Sequence, residues 1–525
     1  MVNPKQSPKP TATSGNNRLT TFIKANYKSI LLFIGLSLFN IFFLCWSFKS
    51  NNLPLDHSFI IILITSLFFE IALCFVLFIA KRKTWKIEKI FFILGSILGL
   101  LYLFAIPIGR APDEESHFFR VYEIASGHII SDISEQGDVG SLEPQDIEIV
   151  RTISKDNITY SDLLSNVNDQ ADEDSVFVTT SADSYNIISY LPQVTGMFIG
   201  KTIGLPYLIA AYLARFFNLI CCLLILYYSI KHIPFLKEIV FFIALLPINM
   251  QAMVSLSPDA LITASAIALI TFTLYSNYTL KTPFTKKHFF ILLPLCILVS
   301  ITKIVYAPLC LLLFTIPKAR FGNTKRKLFW IIGLGMLVIA VYFAWRLIAP
   351  PIRNSTDTGS QLANIMHNPF YYLAVLVHSI STNSILYLTG TLGGHLEWFN
   401  VNLSMLYILA SLIIFTLLCA KARQSITISK SIKILSISLF AFITIIIFTA
   451  LYLSWTKVGE TVIDGVQGRY FLPILLLVPL AFLSVSRKSK NNRPRPSSLS
   501  QNYYLYAFFI FESIYAISTI VCTHI

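Results

Sequence analysis

A carboxylate, an imidazole and a guanidinium lie close together in GRAPDEESHFFRVYEIASG, which spans residues 109–127. Pro112 is typical of the first position of a helix, because the N–H that it lacks would be unpaired there. In the predicted helix Asp113, His117 and Arg120 follow at i, i+4 and i+7, so their side chains share one face. Such a face could bind substrate and transfer a proton at a membrane boundary. An acidic helix end with an internal salt bridge is the alternative interpretation.

Asp113 and the adjacent Glu114 are the candidate catalytic residues. They could act as a general base, or as a carboxylate pair that binds a metal at the boundary between water and lipid. The alternative is simple helix-end charge, which the helix dipole favours. Adjacent carboxylates suit Mg²⁺ or Mn²⁺, but two of them without further ligands do not complete a site. Metal dependence therefore stays open.

Three isolated charges in or beside apolar segments are candidates for substrate binding. Arg215 lies within LIAAYLARFFNLICC, where a charge costs about 2.5–3.5 kcal/mol and normally faces a polar partner or cavity. Snorkelling to the interface is the alternative. Asp259 follows a proline and either starts a helix or faces a ligand. Lys303 stands between two short apolar runs, as a loop residue or as a counter-charge to an anionic headgroup.

Two further loops carry polar and aromatic residues that could bind a sugar or a phosphate. GTLGGHLEW contains three glycines, which allow a backbone to approach a ligand closely. Trp398 could stack on a sugar ring or anchor the chain at the membrane interface. In DGVQGRY, Arg469 could hold a phosphate bidentately or serve as an interfacial anchor. The substrate-binding candidates in these loops are His395, Glu397, Trp398, Gln467, Arg469 and Tyr470.

The composition excludes an ordinary soluble protein. Hydrophobic residues make up 55% of the chain and charged residues 13%, whereas soluble domains carry about 25% charged residues. Apolar runs of membrane-spanning length recur throughout, which predicts an all-α polytopic membrane protein with about 13 transmembrane helices. The predicted spans are 29–48, 58–80, 88–108, 207–230, 238–256, 260–278, 288–302, 304–317, 328–349, 400–420, 434–453, 469–486 and 503–522.

The charges are distributed very unevenly. Residues 109–187 contain 17 acidic and 4 basic residues, whereas the rest of the chain contains 10 and 37. The basic residues cluster in short loops, which follows the positive-inside rule and does not indicate nucleic-acid binding. All eight cysteines lie in apolar segments, so neither a disulfide framework nor metal-ligand spacing is present.

The positive-inside rule places the N-terminus in the cytoplasm, provided that 187–203 and 369–389 lie along the membrane and do not cross it. The 109–187 loop and the other candidate residues then face the extracytoplasmic side, and apart from Arg215 most charges lie at helix ends. The predicted organisation is a cytoplasmic basic tail (1–28), an extra transmembrane hairpin (29–87), a transmembrane core (88–486), a cytoplasmic basic loop (487–502) and a last helix (503–525).

Several motifs occur together in a familiar order. They are PDEESHFFRVYEIASG, SYLPQ, ARFFN, PINMQAMVSLSPD, ITK, GTLGGHLEW and GVQGRYFLP. Over about residues 88–486 the chain resembles the bacterial membrane-protein family called domain of unknown function 2142, which is similar to the GT-C glycosyltransferases. Those enzymes take sugars from polyprenyl-phosphate carriers on the outer face of the membrane.

The resemblance implies roles for particular residues. Asp113, with Glu114 beside it, occupies the place of the acidic base or metal ligand in the first outer loop. SYLPQ (189–193) matches a juxtamembrane helix that contains proline. The extra hairpin and the lack of a large soluble domain after the last helices depart from the GT-C pattern. Acceptor recognition would then fall to the outer loops.

The leading hypothesis is therefore a glycosyltransferase of the bacterial plasma membrane. It would transfer a sugar from a polyprenyl-phosphate donor to a cell-envelope glycan or lipid. Arg215, Lys303 and Arg469 would stabilise the departing phosphate. A carrier or flippase for a lipid-linked glycan is the second hypothesis, which predicts charges near the membrane midplane. A non-catalytic scaffold of an envelope-synthesis complex is the third.

Overall fold

The computed structural model describes residues 14–50, 52–155, 159–167, 174–349, 357–485 and 499–525. The first 13 residues of the predicted tail and residues 487–498 of the predicted basic loop lie outside this part of the chain. The α-helices are α1 Ser14–Ser50, α2 His57–Arg82, α3 Ile87–Ala105, α4 Glu114–Ala125, α5 Ile149–Lys155, α6 Tyr160–Asn166, α7 Leu191–Thr202, α8 Tyr207–His232, α9 Lys237–Leu245, α10 Pro247–Met253, α11 Asp259–Tyr278, α12 Lys286–Ile301, α13 Thr324–Ile348, α14 Thr358–His367, α15 Pro369–Thr391, α16 Met405–Ser425, α17 Lys430–Ser454, α18 Leu477–Phe482 and α19 Leu499–Thr523.

Shorter elements connect these helices. The 3₁₀ segments are Gln145–Glu148, Ile187–Tyr190, Ile304–Thr315, Lys318–Arg320 and Gly468–Ile474. The strands are β1 Asp132–Ile133, β2 Val139–Pro144, β3 Ser175–Thr179, β4 His395–Leu396, β5 Val401–Asn402, β6 Thr427–Ile428 and β7 Ser484–Val485. Strands β1, β2 and β3 form an antiparallel sheet, β4 and β5 form a hairpin, and β6 pairs with β7 in parallel.

Ten helices of the described chain are long and apolar enough to cross a membrane. They are α1, α2, α3, α8, α11, α13, α15, α16, α17 and α19. The prediction of an all-α polytopic membrane protein is thereby confirmed.

Four of the thirteen predicted spans are not continuous helices of spanning length. Proline explains the difference, because it removes a backbone donor and disrupts the regular helix. Pro247 separates α9 from α10, and Pro294 lies inside the 16-residue α12. Pro308 and Pro473 lie in 3₁₀ segments, which are tighter than an α-helix.

The two stretches expected to lie along the membrane differ in length. Residues 187–203 form a 3₁₀ turn and the 12-residue α7, which is about 18 Å long and too short to span. By contrast, α15 has 23 residues and meets the length and hydropathy of a span. The expectation that 369–389 lies along the membrane therefore conflicts with the length and hydropathy of α15. Side chains of α15 bond to the loop before Arg469, where Ser379 contacts Ile463 and Thr391 contacts Gly468, and to α17, where Tyr372 contacts Thr449.

The centre of the bundle is α8, which packs against α3, α7 and α11. Two glycines of α7 allow its close approach. A Cβ on Gly196 would lie 2.6 Å from Cα of Ala214, and one on Gly200 would lie 2.7 Å from Cβ of Ala210. This packing places α7, and α4 which contacts α7, beside the N-terminal end of α8, where the 106–206 segment joins that helix.

The helices α1 and α2 pack against α19, which also contacts α3. Two carboxylic residues lie in the middle of these helices, Glu70 in α2 and Glu512 in α19, and both are buried. The expectation that Arg215 is the exception among charges at helix ends is therefore wrong. Both residues are surrounded in the sequence by apolar residues, which concealed them in the hydropathy pattern.

Candidate functional site

Four charged side chains from distant parts of the chain meet at the end of the bundle that carries the 106–206 segment. Arg469 forms an ion pair with Asp113, and its Nη1 lies 3.4 Å from Oδ2 of Asp259. The Nζ of Lys303 lies 2.5 Å from Oδ1 of Asp259. Carboxylates and cations therefore alternate in one network. We call these four residues the charged cluster.

Asp113 has an unusual backbone conformation. Its φ of 61° is in the left-handed region, which residues with a Cβ rarely adopt. Arg469 donates a hydrogen bond to the carbonyl of Pro112 at 3.2 Å, and the N–H of Gly109 donates to Glu114 at 3.0 Å. Such conformations cost about 1–3 kcal/mol and are common at functional sites, where surrounding contacts hold them. The strain thus coincides with the residue predicted to be the base.

Close backbone contact positions Arg469. The preceding Gly468 packs on the end of α15, where an added Cβ would lie 2.2 Å from the backbone N of Thr391. The hydroxyl of Thr391 donates a hydrogen bond to the carbonyl of Gly468 at 2.9 Å. The two loops singled out in the sequence, GTLGGHLEW and DGVQGRY, are therefore joined, and glycine is required at their contact.

Asp113 is the most accessible member of the charged cluster. Its side chain is 44% exposed, compared with 8% for Arg469 and 15% for Asp259. Burial by itself would raise the pKa of Asp113, but the positive charges of Arg469, His117 and Lys303 outweigh it and lower the pKa. The carboxylate of Asp113 is thus ionised at neutral pH and accessible to solvent.

One aromatic ring makes cation–π contacts with both cations of the cluster. The ring of Tyr470 lies 5.0 Å from Nζ of Lys303 and 5.2 Å from Cζ of Arg469. Tyr306 donates a hydrogen bond from its hydroxyl to the carbonyl of Tyr470 at 2.8 Å. Cation–π contacts of this kind hold both positive charges beside the carboxylates.

His117 lies beside the charged cluster and is buried. Its Nδ1 lies 2.7 Å from the hydroxyl of Tyr190, which belongs to the SYLPQ motif. Burial lowers the pKa of His117 from 6.5 to about 4, although the nearby carboxylates Asp113 and Asp259 oppose this change. His117 is therefore a neutral imidazole at physiological pH.

This buried imidazole predicts a specific dependence of stability on pH. The unfolded chain takes up a proton at His117 near pH 6.5 and the folded chain only near pH 4, so the folded state loses stability as the pH falls through this window. The loss attributable to His117 amounts to about 3 kcal/mol. Thermal unfolding of wild type and His117→Gln between these pH values measures it. The exposed His128 supplies the control His128→Gln, and an identical pH dependence in His117→Gln would refute the assignment.

Glu114 belongs to a different network. The guanidinium of Arg215 contacts it through Nε at 2.7 Å and Nη2 at 2.5 Å, and both side chains are fully buried. Backbone N–H groups of Gly109, Ala111 and Leu256 also donate to Glu114. The adjacent candidate catalytic residues are thus separated: Asp113 faces the charged cluster, and Glu114 faces the interior.

Arg215 also supports the chain that leads to the site. Its Nη1 and Nη2 donate to the carbonyls of Ile106 and Pro107 at 2.6 and 2.9 Å. These residues end α3 and begin the 106–206 segment. The buried Arg215 and Glu114 therefore tie α8 to the turn that precedes Asp113.

Arg120 is buried away from the charged cluster. It pairs with Glu123 at 2.6 Å and donates to the carbonyl of Tyr185 and the hydroxyl of Ser131. The predicted common face of the helix therefore brings His117 close to Asp113 but gives Arg120 separate partners. Arg120 holds the loop that carries Tyr185, whose ring meets that of His117 edge-on at 5.6 Å.

The 395–402 hairpin contains three of the predicted residues, and their hydrogen bonds and ion pairs are to residues outside the charged cluster. His395 bonds to Asn402 at 2.6 Å and to Thr389 at 3.2 Å. Glu397 is buried between Arg110 at 3.5 Å and Nε2 of His524 at 2.7 Å. The side chain of Trp398 is partly exposed.

The remaining candidate ligands do not form a metal site. The backbone carbonyl of Gln467 accepts a hydrogen bond from the N–H of Tyr470. The carboxylate of Glu114 already pairs with Arg215, and that of Asp259 pairs with Lys303. In the described chain, no group of three His, Cys, Asp or Glu side chains could hold a metal ion. These residues therefore do not fit Mg²⁺ or Mn²⁺, and we assign no step to a metal.

A known family model matches most of the chain. The model for DUF2142, described as a predicted membrane protein, matches residues 94–478. The chain belongs to the DUF2142 family. No curated protein and no solved structure matches the chain.

The DUF2142 segment contains all four members of the charged cluster and the Glu114–Arg215 pair. Helices α1 and α2 precede this segment, and α19 follows it. Two residues near the site were not among the sequence candidates: Tyr185 and Tyr306. The SYLPQ motif pointed to Tyr190, but nothing local in the sequence marks Tyr185 or Tyr306.

Proposed function

We propose that this DUF2142 protein is a membrane glycosyltransferase. It transfers a sugar from a polyprenyl-phosphate-linked donor to a cell-envelope glycan or lipid on the extracytoplasmic face of the bacterial plasma membrane. One observation carries the proposal: the accessible Asp113 carboxylate lies beside Arg469 and, through Asp259, beside Lys303. A base and two phosphate-binding cations are the groups that such a transfer needs.

Asp113 has the role of the general base in this proposal. Its carboxylate takes the proton of an acceptor hydroxyl while the hydroxyl oxygen attacks the anomeric carbon of the donor sugar. The bond from that carbon to the phosphate oxygen breaks, and polyprenyl phosphate leaves with the bonding electrons. A donor phosphate that shares Arg469 would weaken the hold of the guanidinium on Asp113 and so make the carboxylate more basic.

Lys303 and Arg469 have the role of stabilising the departing phosphate. Arg469 offers a planar pair of donors, and Lys303 offers a compact charge. Both are held in place before the donor arrives, by Asp259 and by the ring of Tyr470. One preorganised contact of this kind is worth about 2.7–4 kcal/mol in the transition state.

An apolar groove supports a donor with a long hydrocarbon chain. It has a volume of about 570 Å³ and lies between α12, the 304–315 segment and α13. Ser300 and Ile304, which flank Lys303 in the chain, line one part of it, and Cys296, Leu311 and Met336 line others. In this proposal the lipid chain of a phosphate bound at Lys303 enters this apolar groove near Ile304, the residue that follows Lys303 in the chain.

Binding of a polyprenyl phosphate to the purified protein tests this assignment. Lys303→Met keeps the length of the side chain and removes its charge, so we expect at least about tenfold weaker binding of the phosphate. Binding of the uncharged polyprenol should stay the same. Lys457→Met, in an exposed loop, is the matched control. Equal affinity of wild type and Lys303→Met for the phosphate would contradict the proposed donor site.

A second candidate function is a carrier for a lipid-linked glycan. The observation that favours it is the pair of buried mid-helix carboxylic residues, Glu70 and Glu512, because ionisable groups inside the membrane often mark transport pathways. Movement of the intact donor across sealed vesicles that survives Asp113→Asn would favour the carrier over the transferase.

A further inference from the structure

A carboxyl group lies buried where α19 meets α3 and α16. The side chain of Glu512 is in the middle of α19, and only 1% of the residue is exposed. Its Oε1 accepts a hydrogen bond from the hydroxyl of Ser411 at 2.8 Å. Its Oε2 is buried without a hydrogen-bond partner in the described chain. Half of this carboxyl group is therefore unsatisfied.

Other buried polar atoms that lack a well-formed hydrogen bond lie around this group. They are the hydroxyls of Tyr102 in α3 and Tyr407 in α16, and Oγ of Ser513, which lies beside the hydroxyl of Tyr102. Both phenols lie within electrostatic range of Glu512, and Tyr407 lies within range of Tyr102. The ring of Tyr407 is stacked on Tyr515 at 4.7 Å, which fixes its direction. Polar atoms of this kind are normally hydrogen-bonded, to water when the protein supplies no partner.

No lysine, arginine or histidine of the described chain makes an ion pair with Glu512. Two further titratable groups lie within electrostatic range of Tyr407, namely Tyr515 and Glu70 of α2. Glu70 accepts hydrogen bonds from Ser37 at 2.8 Å and Asn40 at 2.9 Å. An ionised carboxylate without a cation is very costly in an apolar interior, whereas a neutral carboxylic acid can donate a hydrogen bond. The surroundings therefore favour the protonated form of Glu512.

We propose that Glu512, Tyr102 and Tyr407 form a proton-binding site inside the membrane part of the protein. Glu512 is a neutral carboxylic acid whose O–H on Oε2 donates to a buried water. The hydroxyls of Tyr102 and Tyr407 contact the same water, which completes the hydrogen bonding of all three groups. The proton comes from bulk water and returns to it, so no other reactant takes part.

The site joins α19, which lies outside the DUF2142 segment, to two helices inside it. Loss of the proton leaves an anion in the junction and weakens the packing of α19. Near the end of α19, His524 contacts Glu397, which in turn contacts Arg110, three residues before Asp113. Contacts therefore run from the end of α19 to the chain that leads into the charged cluster.

Infrared spectroscopy of the full chain in lipid nanodiscs tests the site without a transfer assay. Wild type should show the C=O stretching band of a protonated carboxylic acid at neutral pH, shifted to lower frequency in D₂O. Glu512→Gln, which keeps the size of the side chain, should remove its intensity. Tyr407→Phe and Tyr102→Phe should shift the band and keep its intensity, and Glu70→Gln measures the contribution of the second carboxyl group separately.

Thermal unfolding of the same samples supplies an independent readout. Raising the pH from below the ordinary pKa of a glutamic acid should lower the unfolding midpoint of wild type relative to Glu512→Gln, because the unfolded chain gives up this proton at a lower pH than the buried carboxyl group does. An unchanged band in Glu512→Gln, or no such band in wild type, would overturn the proposal. A band removed by Glu512→Gln but unmoved by both phenylalanine variants would overturn the shared site.

Discussion

Replacing Asp113 with asparagine is expected to lower the rate of sugar transfer by about 10²- to 10⁴-fold, the usual contribution of a general base. The variant keeps the volume of the side chain and an oxygen that can accept a hydrogen bond from Arg469. Donor binding and the unfolding midpoint should therefore change little. Transfer rates at saturating donor, together with donor affinity, separate the loss of the base from a loss of binding.

A carboxylate outside the cluster gives the matched control for this experiment. Asp464 is exposed in the loop that leads to Arg469, so Asp464→Asn should transfer sugar at the rate of wild type. Asp113 would not be the base if Asp113→Asn retained transfer at normal expression. A loss of donor binding equal to the loss of rate would instead assign Asp113 to holding Arg469.

Breaking the Glu114–Arg215 pair should produce the largest change in stability. Arg215→Met leaves the Glu114 carboxylate buried without its cation, which costs about 3–5 kcal/mol in comparable pairs. The double variant Glu114→Gln with Arg215→Met should recover part of this loss, because no unpaired charge then remains. Thermal or denaturant unfolding of the single and double variants measures both effects.

This prediction also separates a structural role of Glu114 from a catalytic one. In a structural role, the activity of Glu114→Gln falls only with the fraction of folded protein. Arg423→Met, on the exposed end of α16, is the control and should change stability by less than about 0.5 kcal/mol. A Glu114→Gln protein that is fully stable and inactive would place Glu114 in the chemistry.

The membership of the charged cluster could largely be anticipated from the sequence. Asp113, Asp259, Lys303 and Arg469 lie at ends of apolar segments, and the positive-inside rule assigned them to one side of the membrane. The contacts between them could not be anticipated, because Asp113 and Arg469 are 356 positions apart. Only the folded bundle brings their loops together, through the contacts of Arg469 with Pro112 and Asp113.

The sequence did not separate Asp113 from Glu114. On an ideal helix adjacent residues point about 100° apart, but the left-handed backbone of Asp113 places it before the helix begins. The partner of Glu114 is likewise a long-range feature, since Arg215 lies 101 positions away. Propensity and periodicity describe neighbours along the chain and therefore cannot predict such a pairing.

Span prediction agrees with the structure where the helices are continuous, and where proline interrupts them it predicted a continuous helix that the structure does not have. Hydropathy averages over a window, so one proline, at 247, 294, 308 or 473, changed the average of its segment only slightly. The same averaging concealed Glu70 and Glu512 inside strongly apolar helices. A charge or a proline acts at one position of a helix. Its effect is predicted only when that position is considered separately from the average of its segment.

The most direct test of the proposed function is the release of polyprenyl phosphate by the purified protein in nanodiscs. The substrates are labelled polyprenyl-phosphate sugars with cell-envelope glycans and lipids as acceptors, and each is tested with and without divalent metal. We predict release by wild type from at least one donor, without need of a metal, and almost none by Asp113→Asn. Equal release by both proteins would contradict the account. So would the absence of release from every donor in a preparation that carries the intact donor across sealed vesicles.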